Sequence, residues 1–295
     1  MIIAEMRSGL GNQLFQYAFG LSLATRNETV LKLDLDFYHH YQLRRFELGN
    51  LAISARKKDK LSRLALRLSR APLPDHLAIL EKGLRGAVLF ATLVDRQGGF
   101  DAEAYARRGN LYLRGYWQSW KYFDDIRPIL LKELSVPSAP NAANAAILRH
   151  IAHASSVCIH VRRGDFVDNK ELQHIFGACR PDYYEAAIEL VRARVSNPTF
   201  FVFSDDLQWV RRNLDVGESA VFVDCNKDAS PVHDMRLMAT CNHFIISNST
   251  FGWWGAWLST SPDKIVVAPE TWYKSTWTAR DLVPPGWITL PNGLC

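Results

Sequence analysis

No apolar stretch in this 295-residue chain is longer than the nine residues Gly86 to Val94. That is far short of the ~20 a membrane-spanning helix needs. The five cysteines (Cys158, Cys179, Cys225, Cys241 and Cys295) are odd in number and contain no C-x-x-C pair. This argues against a disulfide framework or a zinc ribbon and favours a reducing compartment. Nine histidines include no H-E-x-x-H, and His150 and His153 have no third ligand beside them, so no metal is expected. Repeats and low-complexity tracts are absent too, which removes solenoids and disordered chains. Glu5 and Arg7 come too early for a secretory leader. The expectation is a soluble, cytoplasmic protein.

What remains is an ordinary globular composition, 48% hydrophobic and 22% charged, at a length that suggests two domains. The net charge of +5 is unevenly placed. Residues 56–70 hold seven Lys/Arg against Asp59, leaving 28 basic and 29 acidic residues elsewhere. Within them Leu61, Leu64, Ala65 and Leu68 recur at i, i+3, i+4 and i+7, the period of an amphipathic helix. One reading lays the leucines on the domain and the charges in water. The other docks residues 56–70 on an anionic membrane surface, at the inner face of the membrane. No aromatics interleave the charges, so nucleic acid is not an expected partner.

Strand-like and helix-like segments alternate, which implies parallel sheets. Met1–Met6, Val30–Leu35 and Asn110–Tyr116 read as strands of the first half, with a helix after Asn12 and another over Trp120–Leu134. Ser135 to Asn144, with Pro137 and Pro140, is the best linker, which divides the chain into domains 1–140 and 141–295. The second half carries strands at Val157–Val161, Phe200–Ser204, Ala220–Val223, His243–Ser247 and Lys264–Ala268. Asp182 and Glu185 suggest a capping box for a helix reaching Val195. Two α/β domains facing a cleft are the simplest architecture.

Two strand ends carry the chemistry. Val157–Val161 delivers His160, Arg162, Arg163, Gly164 and Asp165 to one of them. Side chains alternate along a strand, so one arginine faces a ligand while the other turns back to a carboxylate. A planar guanidinium that never deprotonates suits a diphosphate; a structural Arg–Asp165 pair is the plainer alternative. At the other end Asn248, Ser249 and Thr250 open a helix, whose backbone N–H groups and dipole form an anion site. Asp205 and Asp206 end a third strand, where a ribose contact and a structural role both stand open, and Asp206 is kept as a donor-side candidate. Trp253, Trp254 and Trp257 read as core. Trp117 and Gln118, with Trp120 nearby, read as an acceptor face, and Asp36 joins them as an acceptor-side candidate. Asp34-Leu35-Asp36 spells D-x-D, a weak metal signal.

Gly9-Leu10-Gly11 with Asp34 downstream imitates a dinucleotide fingerprint and raises a nicotinamide oxidoreductase as a rival. Leu14 replaces its third glycine, and that reading leaves the arginines without a purpose. Nine tryptophans raise a non-catalytic carbohydrate-binding module as another.

Taken together, Gly9-Leu-Gly-Asn-Gln13, Gly115-Tyr-Trp-Gln-Ser119, His160-Val-Arg-Arg-Gly-Asp165, Phe203-Ser-Asp-Asp206 and Asn248-Ser-Thr-Phe-Gly-Trp-Trp254 resemble the α-1,2-fucosyltransferases of glycosyltransferase family eleven. The resemblance implies a GT-B architecture of two Rossmann-like domains. It also implies inverting, metal-independent transfer of L-fucose from GDP-β-L-fucose to the 2-hydroxyl of a galactose-terminated glycan, free or lipid-linked. By the same resemblance Arg162 holds the β-phosphate, His160 and Asp234 lie near the guanine, and Ser249 and Thr250 contact the phosphates. Gly11 and Asn12 approach the reacting centre, and Asp165 is the candidate base. Trp117 and Trp120 stand where the family commonly has Phe and Glu. GDP-mannose or another GDP-sugar is the alternative donor.

Overall fold

The computed structural model describes residues 1–70, 90–95, 98–227, 229–274 and 279–295. Two compact units emerge. The first is Met1–Leu134 with Arg280–Leu282, and the second is Ser135–Ala279 with Val283–Cys295. The division falls at the front of the proline linker, between Leu134 and Ser135, rather than within it at residue 140.

In the first unit five parallel strands, β1 (Ile2–Glu5), β2 (Leu31–Asp34), β3 (Arg56–Lys57), β4 (Ala91–Val94) and β5 (Leu111–Arg114), line up as β3-β2-β1-β5-β4. Residues Ile2, Ile3 and Ala4 are buried, as a strand covered on both faces requires. The helix Leu10–Arg26 is buried along most of its length, the polar Gln13, Gln16 and Ser22 included. Leu14 is buried as well; the close approach to the sheet comes at Gly20, where a Cβ would lie 2.9 Å from Leu31.

The basic segment departs from its expected form. Arg56 and Lys57 are strand β3, and only Lys60–Arg70 is helix. Asp59 caps it by accepting from the Ser62 N–H at 2.9 Å. The inward face is Ser62 and Leu66, with Leu66 packed on Ile3, Phe90 and Tyr112. Leu61 and Leu64, expected to be the inward stripe, are 77% and 54% exposed. A 3.6-residue period alone cannot tell which of two apolar ridges meets the sheet. The Leu68 side chain and residues 86–89 of the apolar run lie outside the described residues. Trp120–Leu134 is two 3-10 turns followed by the helix Arg127–Glu133, not one continuous helix.

The second unit is more regular. Its strands β6 (Ser155–Val161), β7 (Pro198–Ser204), β8 (Val221–Phe222), β9 (His243–Ile246), β10 (Val266–Pro269) and β11 (Ile288–Leu290) are all parallel, ordered β11-β10-β9-β6-β7-β8. The chain builds outward from β6 through β7 to β8, then crosses back to place β9 on β6's other side. This is the doubly wound Rossmann order, and its switch point lies between β6 and β9. Trp253, Trp254 and Trp257 are buried on one another at ring distances of 5.0–5.9 Å. The helix Pro181–Arg192 starts on Pro181 behind Arg180, and no side-chain bond caps it. The Asp182/Glu185 capping box is therefore not formed, because a proline at the first position already supplies the helical φ.

Candidate functional site

At the switch point, His160 sits opposite Ile246, and the Ser247 N–H donates to the His160 carbonyl at 3.1 Å. The two strands therefore leave the sheet side by side, one into Arg162 and the other into Ser249. On the far side of β6, Val161 registers with Ser204, which sets Asp205 next to Arg162. The guanidinium is gripped from two directions. Nη2 donates to Asp165 Oδ1 at 2.5 Å, and Nη1 lies 2.8 Å from Asp205 Oδ2. The second Asp205 oxygen accepts from the Arg163 N–H at 2.9 Å. Arg162 also rests 5.4 Å over the Phe166 ring, which stacks on Phe176. Its side chain keeps 23% exposure, and two carboxylate contacts leave some of its five N–H donors for a ligand.

The arginines thus divide their work differently from the expectation. Arg163 turns away, but it stacks on Trp209 at 3.8 Å rather than pairing through its guanidinium with a carboxylate. Arg162 faces outward and takes both acids. Gly164 makes the grip feasible: a Cβ there would lie 2.6 Å from Asp205 Oδ2.

His160 is buried, with Nδ1 3.0 Å from the Ser247 hydroxyl. Burial, helped by the Arg162 charge, pushes its pKa down to about 3. It is a neutral imidazole at physiological pH, a hydrogen-bonding group without charge. Behind it the helix Thr250–Leu258 approaches so closely that a Cβ on Gly252 would lie 2.7 Å from His160 Nδ1.

Ser249 is the N-cap of that helix, with extended backbone, yet its hydroxyl makes no capping bond. The first N–H groups of any helix find no partner within it, and here they emerge beside Arg162. Asn248 has another job. Its amide donates to the carbonyls of Phe176, Gly177 and Trp272 at 3.1–3.2 Å and accepts from the Cys179 thiol. The side chain expected on the donor is instead a buried clamp that fixes the loop. Asp206 likewise caps the helix Leu207–Asn213, accepting from the Trp209 N–H at 2.9 Å. Asp234 accepts from Asn226 at 2.8 Å, and Asn226 and Asn144 exchange reciprocal amide bonds at 2.8 Å. Burial raises the Asp234 pKa.

In the first unit the strand order reverses between β1 and β5. There the Gln118 amide donates to the Asn12 side-chain oxygen Oδ1 at 2.8 Å, and the Asn12 amide donates to the Ser8 hydroxyl at 3.1 Å; Gly11 is buried one residue earlier. Trp117 is not an open platform. It is 2% exposed, packed 4.6 Å from Phe19 and 5.8 Å from Tyr122, with φ +57°. Asp95 fixes that turn by accepting from the Trp117 N–H at 2.8 Å. Asp36 is tied to Lys58 at 2.6 Å, and the same ammonium meets Asp34 at 2.5 Å. Lys58, counted from sequence as part of a basic helix, is buried between the two D-x-D carboxylates. Among the described residues no three His, Cys, Asp or Glu side chains are grouped to hold a metal ion, and no helix is long and apolar enough to cross a membrane.

The model of glycosyl transferase family 11 matches residues 95–291. The chain belongs to this family. It is 30% identical to an alpha-1,2-colitosyltransferase of Escherichia coli, over 98% of this chain and 99% of that protein. It is 32% identical to the galactoside 2-alpha-L-fucosyltransferase Sec1 of Mus musculus, over 63% of this chain and 57% of the relative. Among solved structures, NodZ alpha-1,6-fucosyltransferase co-crystallized with GDP superposes with a TM-score of 0.55 at 18% identity, covering 88% of this chain and 92% of NodZ. The protein is thus a family 11 glycosyltransferase built of two Rossmann-like α/β units, the GT-B architecture.

For this family 11 chain the structure gathers Arg162, Asp165, His160, Ser249 and Thr250 around one switch point, and Gln118 and Asn12 around the other. It withdraws Trp117, and it gives the side chains of Asn248, Asp206 and Asp36 partners inside the protein. Asp205, double acceptor to the arginine loop, was visible in sequence only as one of two aspartates at a strand end; the register of β6 with β7 selects it.

Proposed function

We propose that the chain transfers L-fucose from GDP-β-L-fucose to the 2-hydroxyl of a galactose-terminated glycan, inverting the anomeric carbon. One arrangement carries the reading: Arg162 and the amide end of the helix Thr250–Leu258 leave adjacent strands at the switch point of a Rossmann sheet. The acceptor oxygen bonds to fucose C1 as the bond from C1 to the β-phosphate oxygen breaks. GDP leaves with that electron pair, and the acceptor proton goes to a base or to water. Charge grows on the departing phosphate, so fixed donors there act mainly in the transition state. Asp165 and Asp205 offset the Arg162 charge and hold its fork in place. The helix dipole and the Ser249 and Thr250 groups add to it. Asp165 is bound to Arg162 and orients it, so the base lies elsewhere. Asp234 lies near the guanine, Asn12 approaches the reacting centre beside the donor, and Gln118 lies on the acceptor side. In this reading no metal is needed, because Arg162 and the helix N-terminus take the place of the cation, and Lys58 already pairs with both D-x-D carboxylates.

The relation to an alpha-1,2-colitosyltransferase supports a second reading, in which colitose replaces fucose on the same site. Purified protein incubated with GDP-fucose, GDP-mannose or a colitosyl donor and a panel of galactosides separates the two, with the new linkage located by NMR. Transfer from GDP-fucose to O2 is expected. Turnover with another donor alone overturns the fucosyl assignment. In the same assay Arg162→Ala lowers kcat by ~10²–10³, Arg162→Lys recovers little of it, and EDTA leaves the rate unchanged. Full activity in a folded Arg162→Ala protein overturns the phosphate role.

A further inference from the structure

The helix Lys60–Arg70 carries Leu61, the most exposed large apolar side chain among the described residues, with Leu64 one turn on. On a helix, residues three and four apart share a face, so these leucines form a ridge beside a second ridge of Lys60, Arg63 and Arg67. All three cations are exposed, as are Arg56 and Lys57 on the preceding strand β3. Of the nearby acids, Asp59 is engaged by Lys32 at 2.7 Å and by the Ser62 hydroxyl at 2.6 Å, and Asp36 by Lys58 at 2.6 Å. Ser62 and Leu66 are the side chains that anchor the helix to the sheet, and the two leucines stand outside that buried cluster. What they leave on the surface is an apolar edge flanked by five cations.

We propose that this face docks on an anionic phospholipid surface, with the cations on the headgroup phosphates and Leu61 and Leu64 in the acyl boundary. This goes beyond the donor chemistry and stands without it. Charge selects the occupant. A second copy packed isologously on this face would set the same five cations against each other, whereas an anionic leaflet attracts each by about fivefold in affinity. A nucleic acid would satisfy the cations but leave the leucines in water.

The test is flotation of the full chain with vesicles of phosphatidylcholine alone and of phosphatidylcholine containing phosphatidylglycerol. The parent is expected to float with the anionic vesicles, to lose binding as salt rises, and to bind neutral vesicles at least ~10-fold more weakly. Arg63→Gln with Arg67→Gln is expected to weaken anionic binding by roughly 25-fold. Leu61→Glu with Leu64→Glu, at exposed positions, is expected to weaken it at least ~10-fold with little change in the unfolding curve and unchanged turnover of a soluble acceptor. Failure of the parent to bind anionic vesicles overturns the proposal, and so does parent-like binding by the leucine variant. A dimer in light scattering that disappears in the leucine variant assigns the face to a second copy, and salt-sensitive binding of duplex DNA without vesicle binding assigns it to nucleic acid; either also overturns it.

Discussion

Asp205 and Asp206 are neighbours in sequence with opposite tasks. Asp205 holds the Arg162 guanidinium and the Arg163 backbone, whereas Asp206 closes the first turn of a helix. Their alanine variants are expected to separate cleanly. Asp206→Ala costs about 1 kcal/mol of stability as a lost N-cap and leaves kcat within about twofold, because its side chain is turned to the Trp209 N–H and not to Arg162. Asp205→Ala frees Arg162 from one of its two anchors and lowers kcat by ~10-fold or more, with KM for the donor less affected. Denaturant titration alongside steady-state kinetics checks both, and a kinetic defect confined to Asp206 would reverse the assignment. Side-chain chemistry at the arginine loop was legible in sequence because the arginines, glycine and acid follow directly on an apolar strand. Which acid holds which arginine was not. That depends on the register between β6 and β7, which no local pattern encodes.

Elements were most legible where parallel strands are buried on both faces. The apolar runs of β6, β7 and β9 were read to within two residues at each end, since burial leaves no alternation to misinterpret. Strands β3, β4 and β11 escaped notice because they are short and partly exposed. Trp117 misled for another reason: a tryptophan in a polar loop looks available, but a left-handed turn held by Asp95 carries it into the core. The helix Thr250–Leu258 offers its own test. Because Ser249 makes no capping bond, Ser249→Ala is expected to change unfolding free energy by less than ~0.5 kcal/mol, the usual range for a substitution that breaks no such feature. GDP affinity, read by calorimetry, is expected to fall about 10–150-fold through one lost bond to a charged ligand. A loss of stability with affinity intact would make the hydroxyl a structural cap after all.

At the scale of the molecule, two sheets of Rossmann type were foreseeable from alternating strands and helices, and each has its switch point where the motifs cluster. The whole fold also feels the buried imidazole. The folded state keeps His160 neutral down to about pH 3, while the unfolded chain protonates it near 6.5. Between those values the unfolded state binds the extra proton, so stability is full above pH 6.5 and declines as pH falls. The slope is up to ~1.4 kcal/mol per pH unit. Urea unfolding is expected to show the parent losing about 2 kcal/mol more than His160→Gln between pH 6.5 and 5. Parallel curves for the two proteins would mean that the imidazole is charged in the fold.

The contact between Gly252 and His160 reaches into the history of the chain. With 2.7 Å left for a methyl, neither position can grow unless the other shrinks. A descendant that exchanges the imidazole for something smaller gains room for alanine in the helix, and the reverse order of events is closed to it. The two positions draw on one shared space.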